Sequence, residues 1–216
     1  MNKKSIADIR REYTATNLCL EHMPSNPFEM FDLWYQEILS QEPEDITDPT
    51  AFVLSTVDQH GMPDSRVVLL KAVLDSKFIF YTNYLSEKGD QLSHRPNVAM
   101  NFYWPKQCQQ IRIRGTVEKI AAKNSADYFL SRPYESQVSS IVSKQSQHID
   151  PDKLGSLFEE KIKQWKGKTL DCPRFCGGYA ITPVSFEFWH GKQARLHDRV
   201  QYFVKNSQWC KQVLAP

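Results

Sequence analysis

Apolar residues recur at helical spacing through Phe28, Phe31, Trp34, Tyr35, Ile38 and Leu39, which predicts a helix with one face packed on a core. Asn26 is placed to cap it and Pro27 to occupy its first position. Asp48-Pro49 then breaks the chain, and the pattern changes to β-branched and apolar runs. Residues 51–57 and 65–73 read as strands joined by the turn Asp58-Gln59-His60-Gly61. Further strands are predicted at 77–82, 98–104 and 109–120, with a helix at 86–94 stopped by Pro96. Helical patterns return at 123–130, ended by Ser131-Arg132-Pro133, and at 151–165 behind the N-cap Asp150. The last third reads as strands at 178–181, 185–189, 195–204 and 209–213. With no internal repeat or composition shift, residues 1–216 are expected to form one α+β domain on a mainly antiparallel β-barrel with peripheral helices. The polar first 24 residues are expected to be a mobile arm.

Composition narrows the function classes. Lys and Arg number 27 against 25 Asp and Glu, a net charge of +2, so there is no basic excess to serve a nucleic acid. No apolar run approaches the roughly 18 residues of a spanning helix, and the basic start lacks an apolar segment behind it, so no membrane partner is expected. Five scattered cysteines fit reduced thiols in the cytoplasm better than a disulfide framework, and Cys172 and Cys176 lack the partners of a zinc site. No Gly-x-Gly-x-x-Gly, His-Glu-x-x-His or Gly-x-Ser-x-Gly occurs. Gly167-Lys168-Thr169 ends like a phosphate loop, but Ile162 stands where its first glycine belongs.

Three constellations carry candidate chemistry. In Arg66-Val67-Val68-Leu69-Leu70-Lys71 two cations bracket four apolar residues. On one unbroken strand they point to opposite faces, which suits two anions on either side of it. A solvated edge pair is the plainer reading. Tyr81-Thr82-Asn83-Tyr84-Leu85-Ser86-Glu87-Lys88 passes from a strand end to a helix start, where backbone N–H groups favour phosphate; Ser86 also suits simple capping. In Arg195-Leu196-His197-Asp198-Arg199, strand alternation would put Arg195, His197 and Arg199 on one face, beside the aromatic pair Phe188-Trp189. Three such side chains in a row call for an anionic or electron-rich partner.

The stretch from Glu187-Phe188-Trp189 to Arg195-Leu196-His197-Asp198-Arg199 resembles the C-terminal signature of the pyridoxamine 5'-phosphate oxidase family. Ordered matches extend over nearly the whole chain, including Arg10-Arg11-Glu12-Tyr13, Asp48-Pro49-Thr50-Ala51, Ser131-Arg132-Pro133, Ser143-Lys144-Gln145-Ser146 and Leu214-Ala215-Pro216. The resemblance implies an FMN-binding split β-barrel, homodimeric, with residues 170–216 completing the dimer interface and site. It implies oxidation of pyridoxamine or pyridoxine 5'-phosphate to pyridoxal 5'-phosphate, with O2 reduced to H2O2. Cofactor residues carried over are Arg66, Val67, Val68, Leu69, Leu70, Lys71, Tyr81, Thr82, Ser86, Lys88, Gln110, Gln145, Ser146, Trp189 and Arg199. Lys71, Tyr128, Arg132 and Ser136 match a substrate-phosphate site, and Arg195 and His197 the catalytic pair over the pyridine ring. Arg10 and Tyr13 match a segment that folds over the substrate. A non-catalytic flavin or pyridoxal-phosphate binder on the same fold is the alternative.

The chain departs from the family pattern at Glu87 and Gln109, where Arg is common, and at Cys176, Ala180 and Val213. Glu87 puts an anion beside the expected FMN phosphate, which predicts weaker FMN retention.

Overall fold

The computed structural model describes residues 18, 20–40 and 48–216. In chain order they form α1 (Pro27–Leu39), β1 (Ala51–Val57), β2 (Pro63–Leu69), β3 (Ala72–Leu74), β4 (Lys77–Asn83), α2 (Glu87–His94), β5 (Asn97–Trp104) and β6 (Gln109–Lys119). Next come α3 (Ala122–Ser131), α4 (Tyr134–Val142), α5 (Pro151–Trp165), β7 (Cys176–His190), β8 (Asp198–Lys205) and β9 (Gln208–Val213). The strands make one sheet in the order β2-β1-β5-β6-β7-β4-β3, with β8 on β7 and β9 on β8. Pairing is antiparallel at β3–β4, β4–β7, β7–β8 and β8–β9.

Local chemistry explains most boundaries. Asn26 Oδ1 accepts from Phe28 N at 3.0 Å and Asp150 Oδ1 from Asp152 N at 3.1 Å, so both helices start where capping residues precede a proline. The β1–β2 turn is held by Asp58 Oδ1, which accepts from the N–H groups of His60 and Met62.

Four expectations need correction. Residues 65–73 are not one strand: β2 ends at Leu69, and Lys71 N turns to Ile79 O at 2.8 Å. The odd-spacing argument for Arg66 and Lys71 therefore does not hold. Conversely, 178–181 and 185–189 belong to one strand, β7, with Pro183 buried inside it. The last hairpin begins at Asp198, since Ala194 (φ 53°) and Arg195 (φ 61°) take left-handed backbone that no strand accommodates. Arg195, His197 and Arg199 thus do not alternate along one strand. Finally, α4 follows Pro133 although no helix was expected there.

The chain divides into two compact units. The first comprises Met1–Val53, Met100–Arg114 and Val184–Pro216. Its core is aromatic: Trp34 meets Phe188 edge-on at 5.2 Å, and Phe31 and Phe52 flank Phe102. Of the expected arm, the described part is bonded to β8 and β9. Leu18 N donates to Asp198, Tyr202 Oη donates to Pro24 O, and Lys211 Nζ reaches Leu20 O.

The second unit comprises Leu54–Ala99 and Gly115–Pro183. Phe78, Phe80 and Ile181 are fully buried in it, and α4 and α5 pack around Phe129, Val138, Val142 and Leu170. Glycine serves packing here. A Cβ on Gly115 would lie 2.3 Å from Thr182 O, whereas one on Gly155 in α5 meets nothing within 4 Å. Gly115→Ala should therefore lower stability by about 1–3 kcal/mol, and Gly155→Ala should raise it by about 0.5–1 kcal/mol. Urea denaturation midpoints of the two variants, moving in opposite directions, check this.

Candidate active site

The second unit contains a cavity of about 650 Å³, within the range of small-ligand pockets. Four cations line it: Arg66 on β2, Lys71 at the β2–β3 break, Lys88 in α2 and Arg132 at the end of α3. Asp64 and Glu87 are the acidic residues of the lining.

Lys88 is the most confined of these cations, only 6% exposed, and its Nζ donates to Ser86 Oγ at 3.2 Å. Ser86 itself is fully buried: it caps α2 by accepting from Gly89 N at 3.4 Å and donates to Asn83 O at 2.6 Å. Burial pushes the Lys88 ammonium below the ordinary lysine value, and the Arg66 guanidinium pushes it further; Asp64 and Glu87 oppose both. The N-terminus of α2 adds partial positive charge. Glu87 N donates to Ser146 Oγ at 3.2 Å, joining the 143–150 loop to this helix start. Ser146, at φ 69°, is one of the described non-glycine residues in the left-handed region.

The lining also carries aromatic and small residues, among them Tyr81, Tyr128 and Gly177. Tyr81 stacks on Tyr128 with centroids 3.6 Å apart and planes 10° apart. In the β4–β7 register Tyr81 faces Gly178, and a Cβ there would lie 2.9 Å from its ring. A Cβ on Gly177 would lie 2.3 Å from the Tyr84 hydroxyl and 2.4 Å from its ring. Tyr84 Oη instead reaches past it to Gly178 O at 2.8 Å. The two adjacent glycines thus admit two tyrosines beside the cavity. Burial raises the Tyr128 phenol above its ordinary value, with Arg132 pulling partly the other way, so it stays protonated and able to donate. Buried Gln137 fixes the α3–α4 turn by donating to Leu130 O and Arg132 O.

Of the residues singled out in the sequence, Arg66, Val67, Val68, Leu69, Lys71, Tyr81, Thr82, Lys88, Tyr128, Arg132, Gln145 and Ser146 meet in this lining. Leu70 is buried and Ser136 sits in the first turn of α4; neither is in the lining. Arg10 and Tyr13 lie outside the described residues. Gln110, Trp189, Arg195, His197 and Arg199 belong to the first unit. There Gln110 Nε2 donates to Asn101 Oδ1 at 2.7 Å, and Arg199 Nε to Glu187 Oε1 at 2.9 Å. His197 lies 4.8 Å from the Trp189 ring, and its Nδ1 accepts the Lys192 N–H at 3.1 Å. That bond leaves the ring proton of neutral His197 on Nε2. Arg195 is exposed.

The lining also holds Asp64, Asn83, Ser125, Ser139, Ser140, Ser143 and Cys176, which were not assigned a site role. Asp64 was readable, since residues two apart on a strand share a face. The α4 serines were not, because that helix went unrecognised.

Residues 40–166 match the family described as pyridoxamine 5'-phosphate oxidase, and residues 177–216 match the pyridoxine 5'-phosphate oxidase C-terminal dimerisation region. This chain belongs to that family. It is 46% identical to a pyridoxine/pyridoxamine 5'-phosphate oxidase of Legionella pneumophila, over 99% of this chain and 98% of the relative. One from Bacteroides thetaiotaomicron is 41% identical, over 99% and 100%. Among solved structures, PhzG from Burkholderia lata 383, in complex with tetrahydrophenazine-1-carboxylic acid, superposes with TM-score 0.86 at 26% identity, covering 94% of this chain and all of that one. A pyridoxamine 5'-phosphate oxidase-related, FMN binding protein from Nostoc punctiforme shares the fold, with TM-score 0.71 at 16% identity, covering 90% and 100%. The pyridoxamine 5'-phosphate oxidase fold is the α+β split barrel expected from the sequence.

In this family member the confined Lys88 has a direct consequence. Its folded-state pKa is lowered, so the cost of its charge is present in full below that pKa and is relieved as pH rises toward the ordinary lysine value. Lys88→Met should raise the melting temperature of the ligand-free protein at neutral pH by about 2–4 °C, a gain that shrinks at strongly alkaline pH. The same variant should lose stabilisation by inorganic phosphate. Thermal melts with and without phosphate test both effects; unaltered phosphate protection would remove Lys88 from the anion site.

Proposed function

We propose that this chain, with FMN as cofactor and dioxygen as electron acceptor, reduced to hydrogen peroxide, oxidises pyridoxine 5'-phosphate to pyridoxal 5'-phosphate, or pyridoxamine 5'-phosphate to the same product with uptake of water and release of ammonia. It works as a homodimer in the cytoplasm. The observation that supports this most is that four cations, Arg66, Lys71, Lys88 and Arg132, line one cavity, with Arg66 near enough to Lys88 to act on its charge. The family resemblance assigns Arg66 and Lys88 to a cofactor phosphate and Lys71 and Arg132 to a substrate phosphate, and cations of this number suit two phosphate esters.

The residues fit FMN. Confined Lys88, the Arg66 guanidinium and the first turn of α2 make a donor set suited to a phosphate dianion. Val67, Val68, Leu69, Tyr81, Thr82, Gln145 and Ser146 supply apolar and hydrogen-bonding surface for the remainder. Gln110, Trp189 and Arg199 are assigned to the same cofactor on the family resemblance. When bound, FMN supplies the acceptor for hydride from substrate C4' and the route of electrons to dioxygen.

The chain's own work is binding, orientation and water exclusion. Lys71 and Arg132 hold the substrate phosphate as cations, with the protonated Tyr128 phenol donating to it; Ser136, outside the lining, is assigned to that phosphate on the family resemblance alone. Arg195 and His197 orient the pyridine ring, His197 acting as a donor from Nε2. Buried Tyr179, its phenol pushed up to about 12 by burial, has no acid–base part and packs between Phe80 and Tyr84.

Mixing the FMN-loaded protein with pyridoxamine 5'-phosphate in air should yield pyridoxal 5'-phosphate and peroxide without a nicotinamide donor. A protein that binds flavin but makes neither product is a carrier, contrary to the proposal. Arg195→Ala should reduce turnover by about 100-fold; near-wild-type kinetics would remove its orienting role. Glu87 lies in the cavity lining and is exposed. Glu87→Arg should therefore tighten FMN about threefold to tenfold, and less at high salt. Calorimetric titration of apoprotein reads this directly.

A further inference from the structure

A hydrogen-bond network ties two lining residues, Arg66 and Asp64, to two outside the lining, Thr56 and Gln91. Thr56 on β1 is fully buried and Gln91 on α2 is 4% exposed. Arg66 NH1 donates to Thr56 Oγ1 at 2.5 Å and to Leu54 O at 3.3 Å. Its NH2 donates to Gln91 Oε1 at 3.2 Å and to Asp64 Oδ2. Thr56 Oγ1 donates in turn to Gln91 Oε1, and Gln91 Nε2 donates to Asp64 Oδ2 at 3.3 Å. Each polar atom has a defined role. The Thr56 hydroxyl accepts once and donates once, while the Gln91 amide is oriented by two donors on one side and a carboxylate on the other.

Two buried polar side chains on different elements converge on one guanidinium, and Arg66 shares the cavity lining with the second cation, Lys88, whose charge it acts on. Without them, mutual repulsion and solvent would draw Arg66 away from Lys88. We infer that Thr56 and Gln91 are positioning residues that hold the Arg66 guanidinium beside Lys88, so that the two cations together grip a phosphate monoester, the flavin phosphate of the function proposed above. They touch neither cofactor nor substrate and act through Arg66. The inference rests on that proposal, and its test separates the two.

The test compares FMN with riboflavin, which carries the same ring system and no phosphate. Both are titrated into apoprotein and followed by quenching of flavin fluorescence. Wild type should prefer FMN strongly. Gln91→Leu and Thr56→Val should each weaken FMN by about tenfold and leave riboflavin affinity unchanged. Thr56→Ser, which keeps the hydroxyl, should restore the wild-type ratio. In an Arg66→Lys background Thr56→Val should cost nothing further, because its effect passes through the guanidinium. A merely structural role would weaken both flavins together, and that result overturns the inference. So does an unchanged FMN-to-riboflavin ratio in both variants. A wild-type protein that binds the two flavins equally overturns the phosphate assignment beneath it instead.

Discussion

Arg66 and Lys88 repel each other, yet the second unit keeps both in the lining of one cavity, with the Asp64 carboxylate bonded to Arg66. Much of that unit's design serves this constraint. Ser86 spends its hydroxyl on the α2 cap and on Lys88 at once. Asp64 lies near enough to compensate both cations without being buried with them. Positive charge concentrated on a confined lysine costs stability, and under the proposed function it favours a small dianion. The near-zero net charge of the chain hides this, because the imbalance is local.

The shape of the site follows from backbone approach more than from polar chemistry. Gly177 and Gly178 let Tyr84 and Tyr81 come within distances that any Cβ would forbid. Tyr81 then forms a flat aromatic surface with Tyr128, adjoining the turn that Gln137 ties at Arg132. A strand, a helix end and a loop thus meet at one cavity although they are far apart in sequence.

Elements with strong local signals were legible in the sequence: α1 from its cap and apolar stripe, α5 from its cap, β1 from its β-branched and apolar run, and α2 from Ser86. Breaks written in backbone geometry were not. Nothing in Ala194-Arg195 announces two left-handed residues, so the strand was read three residues too early there. Helix α4 carried a readable stripe in Tyr134, Val138 and Val142, but its three serines and the preceding proline looked like loop. Arg66 and Lys71 were picked out from charge among apolar residues and Lys88 from its place at a helix start, while the family resemblance added Arg132 and grouped the four. The network behind Arg66 was invisible, since Thr56 follows Phe52 and Leu54 on the buried face of β1 and reads as core.

The central claim is that two cation pairs serve two phosphates, one on the flavin and one on the substrate. It is tested most directly by mixing FMN-loaded protein anaerobically with pyridoxamine 5'-phosphate or with unphosphorylated pyridoxamine, while following the visible absorbance of the flavin. The account predicts rapid bleaching by the phosphorylated amine and little or none by pyridoxamine at the same concentration. Equal bleaching by both amines, or none by either, would contradict it.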